Sequence, residues 1–126
     1  MIYDLLNFEL NVIECNQRHK KFFKQKSVVL LGMGDDGHTA SLFTNNYYKS
    51  KDFHSKESKI ISNYSPIEPR IRITHNKASI LNTKNLILYI KGSKKKDAFN
   101  SSTIKNTPIC HFKNQSNPLL QIFWTS

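Results

Sequence analysis

The chain has 126 residues, 38% of them apolar and 22% charged, with two cysteines and a net charge of +10. That length suits one domain with its own core, and its longest apolar runs fall far short of the roughly 20 residues a membrane helix needs. The first residues, Met1-Ile2-Tyr3-Asp4, lack the basic, apolar and small-residue regions of a signal peptide. Two isolated cysteines, Cys15 and Cys110, give no disulfide framework, and reduced thiols in a cytoplasmic protein are expected. The basic balance admits a nucleic-acid binder, a protein with an anionic small substrate, or a lysine-rich solvated surface. The lysines are scattered, show no aromatic interleaving and sit in no nucleic-acid motif, which argues against the first.

In chain order, Asn7 to Phe23 reads as a helix. Ser27 to Leu31 is a short β-branched and leucine run typical of a buried strand. It stops at Gly32, and Gly32, Gly34 and Gly37 open a loop. A short helix is expected from His38 through Phe43, then a polar surface loop from Thr44 to Lys56. Lys59 to Ile61 is a short strand candidate, and Pro66 and Pro69 mark a turn. Arg70 to Thr74 alternates with period two, so both arginines share one face. Asn76 to Asn82 fits one or two helical turns. Leu86 to Ile90 is the clearest second buried strand. It ends at Gly92, and Ser93 is the expected N-cap of a helix through Phe99. Pro108 to Phe112 and Leu120 to Trp124 are weaker strand candidates. Strands alternating with helices predict an α/β fold with a mostly parallel sheet and flanking helices. There is no internal repeat and no linker.

The chemistry concentrates after the first strand. Gly32, Gly34 and Gly37 match the spacing of a dinucleotide fingerprint, but that match alone is weak. Electrostatics reject it, because a pyrophosphate would sit where Asp35 and Asp36 stand. A loop at the carboxyl end of a parallel strand is nevertheless where open α/β sheets bind ligands. Asp36 and His38 lie two residues apart across a glycine. An aspartate so placed can orient a histidine that accepts a proton from water. In the plainer reading, an aspartate caps the next helix and His38 is a surface residue.

The string Gly32-Met33-Gly34-Asp35-Asp36-Gly37-His38-Thr39-Ala40-Ser41-Leu42-Phe43 closely resembles the signature loop of the 6-phosphogluconolactonases. These share a Rossmann-like fold with the glucosamine-6-phosphate deaminases. The deaminase loop carries a supporting glutamate after its histidine, and Thr39 to Phe43 holds no acid. Two more stretches agree. Pro69-Arg70-Ile71-Arg72-Ile73-Thr74 is similar to the family's Pro…Arg-Ile-Thr strand, and Leu88 to Lys95 to its strand followed by Gly-x-x-Lys.

The resemblance implies hydrolysis of 6-phospho-D-glucono-1,5-lactone to 6-phosphogluconate in the oxidative pentose phosphate pathway, without metal or cofactor. It implies His38 as general base and Asp36 as its orienting partner. Backbone N–H groups around Gly34 and Gly37 are expected at the oxyanion, and Arg72 and Lys95 at the phosphate. Arg70 competes with Arg72, because both project from one face. Without the resemblance, the lysines at 94–96 would read as a solvated helix end.

The resemblance runs from about Gln25 to Trp124, only the C-terminal half of a family domain. Residues 1–126 are therefore expected to form a single but truncated domain. The family's N-terminal half holds a Gly-Ser-Thr-rich phosphate loop, and the first 24 residues contain no glycine. His75 and Asn76 stand where the family has apolar residues. A phosphorylated sugar lactone is the expected ligand. A second copy, or a complementary chain supplying the missing half, is the expected partner. The competing readings are a non-catalytic remnant or piece of a split enzyme, a deaminase-like protein, and a basic nucleic-acid-binding module.

Overall fold

The structure is a computed structural model and describes residues 12–18, 20–45 and 50–126. Helix α1 spans Val12–Arg18, followed by a 3-10 turn at Lys20–Phe23. The helix expected from Asn7 is thus split, and its first turn lies outside the described residues. Asn16 ties α1 to the next layer. Its amide donates to Ile60 O at 2.8 Å and accepts from Ile60 N–H at 2.8 Å.

Strand β1 covers Lys26–Leu31, β2 Ile60–Tyr64, β3 Ile71–His75, β4 Thr83–Lys91 and β5 Leu120–Thr125. Three of them form a sheet in the order β1-β4-β5. Both pairings are parallel, with Leu31 opposite Leu88 and Leu86 opposite Leu120. The α/β reading with a mostly parallel sheet therefore holds. The central position of β4 explains why Leu86, Leu88 and Ile90 are buried, since strands on both sides and helices on one face cover them. They pack with Leu31, Met33, Leu42, Ile80, Ile109 and Phe112. A separate antiparallel hairpin pairs β2 with β3.

Helix α2, Lys77–Leu81, links that hairpin to β4. Helix α3, Ser93–Lys105, crosses over from β4 toward β5. Its N-cap is Gly92 rather than the expected Ser93, and the helix runs past Phe99. Gly92 sits at φ +88°, a conformation that disfavours side chains. The end of β5 closes on this point. Gly92 N–H donates to Thr125 O at 2.9 Å, and the Trp124 indole donates to Gly92 O at 3.0 Å.

Three expected elements differ. Pro108 to Phe112 is not a strand but the lead-in to a one-turn helix, α4, at Cys110–Lys113. Ile109 and Phe112 are both fully buried and three residues apart, a helical spacing that a short apolar run disguises. His38 to Phe43 is a turn, not a helix. Ala40 lies at φ 50°, and Thr39 pairs with Leu42 across it. The polar groups there find partners outside a helix: Thr39 Oγ1 donates to Gly32 O at 2.8 Å, and Ser41 N–H to Thr74 Oγ1 at 3.2 Å. The expected polar loop also hides a core residue. Phe53, in a 3-10 turn at Lys51–Phe53, is completely buried.

Candidate active site

The glycine loop follows β1 at the carboxyl edge of the parallel sheet. Two backbone bonds fold it on itself. Gly34 N–H donates to His38 O at 2.9 Å, and Gly37 N–H to Gly34 O at 3.0 Å. The Gly34 and Gly37 amides are thereby engaged within the loop.

The fold of the loop brings Asp36 and His38 together. Asp36 Oδ1 accepts from the His38 backbone N–H at 3.1 Å and lies 2.6 Å from His38 Nδ1. An ionised carboxylate can only accept, so Nδ1 carries the proton. In the neutral imidazole the other ring nitrogen, Nε2, then holds a lone pair. No described residue bonds to it. Thr44 Oγ1 donates to Asp36 O at 3.2 Å and reaches Asp36 Oδ2 at 3.4 Å, steadying the carboxylate from its other side. Phe43 packs beside the imidazole, with ring centres 5.4 Å apart.

Partial burial works against ionisation of Asp36. The backbone N–H and imidazole of His38 outweigh it and hold the carboxyl below its ordinary value. The sign follows for stability. A depressed carboxylate contributes above its unfolded value, and the contribution is lost only as pH falls through the lower folded value. Asp36 therefore stays ionised through neutral and mildly acidic pH. Both side chains are partly exposed, 36% for His38 and 49% for Asp36, so the pair orients more than it stabilises.

Two glycines make this geometry possible. A Cβ on Gly34 would collide with the His38 ring and with Asp36 Oδ1. Gly34→Ala is expected to push the imidazole off the carboxylate while both residues keep their identity. The expected result is a fall in hydrolytic rate of about 10²-fold, within the range for general-base catalysis, with a nearly unchanged melt. A rate equal to the parent protein would show that the ring position is unimportant. Gly37 sits at φ +82°, and a Cβ there would lie 2.5 Å from Thr107 Oγ1. Thr107, Pro108 and Ile109 brace the loop from behind, with Ile109 N–H donating to Gly37 O at 3.2 Å.

Among the described residues, His38 lines two cavities. One, of about 430 Å³, is lined by Gly32, Gly34, His38, Thr39 and Lys95. The other, of about 420 Å³, is lined by Asp36, His38, Phe43, Ser65 and Arg72. Lys95 lines the first of these and Arg72 the second. Arg70 lines neither. Its Nε pairs with Glu68 at 2.8 Å, and its Nη1 donates to Pro66 O at 3.2 Å. Arg72 Nε donates to Pro69 O at 2.6 Å. The sequence reading missed Thr44 and Thr107. Neither has a local spacing to the Asp36-Gly37-His38 triplet, and only the fold brings them to it.

These features define an α/β protein with an open parallel sheet and a histidine–aspartate pair at its carboxyl edge, the position where such sheets bind ligands. The chain belongs to the glucosamine-6-phosphate isomerase/6-phosphogluconolactonase family, whose sequence profile matches residues 7–124. It is 34% identical over 87 residues to a 6-phosphogluconolactonase of Helicobacter pylori, a match covering 68% of this chain and 37% of that protein. A 6-phosphogluconolactonase of Neisseria meningitidis is 31% identical over 83 residues, covering 65% and 36%. The crystal structure of a 6-phosphogluconolactonase from Shewanella baltica superposes with a TM-score of 0.75 at 24% identity, over 90% of this chain and 50% of that one. That of Thermotoga maritima superposes at 0.68 and 19% identity, over 96% and 53%. The chain therefore spans little more than a third of the sequence relatives it matches, and about half of the solved structures. No helix among the described residues is long and apolar enough to cross a membrane.

Proposed function

We propose that the chain is the C-terminal half of a single 6-phosphogluconolactonase domain and carries its catalytic loop. The reaction is hydrolysis of 6-phospho-D-glucono-1,5-lactone to 6-phosphogluconate in the oxidative pentose phosphate pathway. The observation that carries this reading is the Asp36–His38 pair, with Nδ1 held at 2.6 Å from the carboxylate and Nε2 left open. Nε2 takes a proton from water as the water oxygen attacks the lactone carbonyl carbon. The tetrahedral oxyanion collapses, the ring C–O bond breaks, and the imidazolium returns its proton to the departing ring oxygen. Asp36 holds the ring in the productive tautomer and balances its transient charge.

Arg72 supplies a planar fork suited to a phosphate group. Lys95 lines the other cavity beside His38, which supports a role for its ammonium toward the phosphate or the developing oxyanion. Both described cysteines are free, in keeping with the reducing cytoplasm, where this activity is proposed to reside. A complementary chain would supply what the family carries outside the matched region; a homo-oligomer of this chain is the alternative partner.

The test is release of 6-phosphogluconate from freshly made lactone, corrected for spontaneous hydrolysis, with and without the complementary half described below. No rate above background in either preparation rejects the function. Release of ammonia from glucosamine 6-phosphate instead would assign the deaminase reaction. The two arginines are separated by substrate. Arg72→Ala is expected to weaken the phosphorylated lactone by about 1.5–3 kcal/mol, the cost of a charge-assisted hydrogen bond, and an unphosphorylated lactone far less. Arg70→Ala is expected to change neither. A selective loss at Arg70 would transfer the phosphate to that residue.

A further inference from the structure

One face of the three-stranded sheet carries apolar side chains with nothing described over them. Val28 and Leu30 of β1 are 53% and 67% exposed, Tyr89 of β4 54%, and Phe123 of β5 53%. They are not scattered. Leu30 lies opposite Ile87, and Tyr89 opposite Phe123, so alternation puts them all on the face away from Leu31, Leu88 and Ile90. Parallel sheets are ordinarily covered on both faces. Beside this face, β1 pairs only with β4 among the described residues, so its other edge is open.

We infer that this face and the open edge of β1 form the docking surface for the part of the family's domain that lies outside the matched region. Two observations choose that occupant over a second copy. The Shewanella baltica structure matches nine-tenths of this chain with half of its own length, so a domain of this fold contains about as much chain again. That second half must pack against the matched one. Charge counts against a second copy: this chain carries +10, so two copies repel on approach. The inference deepens the functional reading by naming the partner, and rests on it only for the activity readout. Alone, the chain is expected to hydrolyse the lactone weakly or not at all, because half of the positioning surface is missing.

The experiment co-expresses the full chain with a tagged segment of the Helicobacter pylori relative, the part N-terminal to its matched region. A parallel experiment uses the corresponding segment of the Shewanella baltica protein. A 1:1 complex is expected with at least one of them. Leu30→Asp and Tyr89→Asp should each break it. Ile104→Asp should not, because Ile104 is as exposed an apolar residue (91%) but lies on α3. Failure of both segments to bind overturns the inference. So does a complex that survives both face substitutions, or a homodimer that those substitutions dissolve. A complex without lactone hydrolysis leaves the docking surface standing and sinks the functional reading. Family-level hydrolysis by a monomer does the reverse.

Discussion

Replacing His38 by alanine is expected to lower lactone hydrolysis about 10²–10⁴-fold, the usual contribution of a positioned general base, while the melting temperature changes little. The expectation of a quiet melt comes from geometry. His38 is a third exposed, lies on a turn, and its principal partner is an exposed carboxylate. Its loss removes a modest surface pair and leaves the loop's own bonds, Gly34 to His38 O and Gly37 to Gly34 O, in the backbone. Asp36→Asn should cost less than His38→Ala, because an amide oxygen can still accept from Nδ1 while the balancing charge is gone. The pH dependence adds a check. The Asp36 carboxyl is held below its ordinary value by His38, so a fall in rate between pH 7 and pH 5 belongs to a group other than Asp36. An undiminished rate in His38→Ala would remove the histidine from the mechanism and with it the reason to read this loop as catalytic.

Much of the fold was legible because its strongest signals are local. Ser27 to Leu31 and Leu86 to Ile90 are short apolar runs bounded by glycine, and they became neighbouring parallel strands. The candidate site was legible for the same reason, since Asp36 and His38 are two residues apart and the loop needs nothing distant to bring them together. What the sequence hid depends on contacts across the chain. Ile109 and Phe112 look like part of a strand until the fold shows that both point into one core from a single turn. The His38 to Phe43 stretch has helix-compatible residues, but Gly32 O and Thr74 Oγ1 capture its polar groups. Arg72 and Lys95 come from elements more than 20 residues apart, so only the three-dimensional arrangement could show that each lines a cavity beside His38.

Asn76 gives the largest expected effect on the fold itself. It is a polar side chain, yet it is completely buried. Such a side chain survives in a core only if its polar atoms are all matched. They are. Asn76 Oδ1 accepts from Ser79 N–H at 3.0 Å, capping α2, and from Lys59 N–H at 3.0 Å. Its Nδ2 donates to Asp52 O at 2.9 Å and Glu57 O at 2.8 Å. One side chain therefore fastens the 3-10 turn at Phe53, the start of β2 and the start of α2. Asn76→Ala orphans two donors, the N–H groups of Ser79 and Lys59, and one acceptor, Glu57 O, each costing about 1–3 kcal/mol if left dry; Asp52 O keeps the Ser55 N–H at 3.3 Å. Even with water rescuing half of them, the loss is several kcal/mol, against a total stability of about 5–15 kcal/mol for a domain. The expected result is a melt lowered by about 10 °C or more, or an insoluble protein. Asn76→Asp separates the two halves of the role. It keeps both acceptor contacts and the cap but loses the two donors, and sets a charge against two carbonyls. It should therefore lose the 50–58 segment first, seen as faster amide exchange there, while α2 stays protected. A melt of Asn76→Ala within about 2 °C of the parent would mean that the four bonds contribute almost nothing net. The polar residue would then be merely tolerated in the core, not the fastening point of this half of the fold.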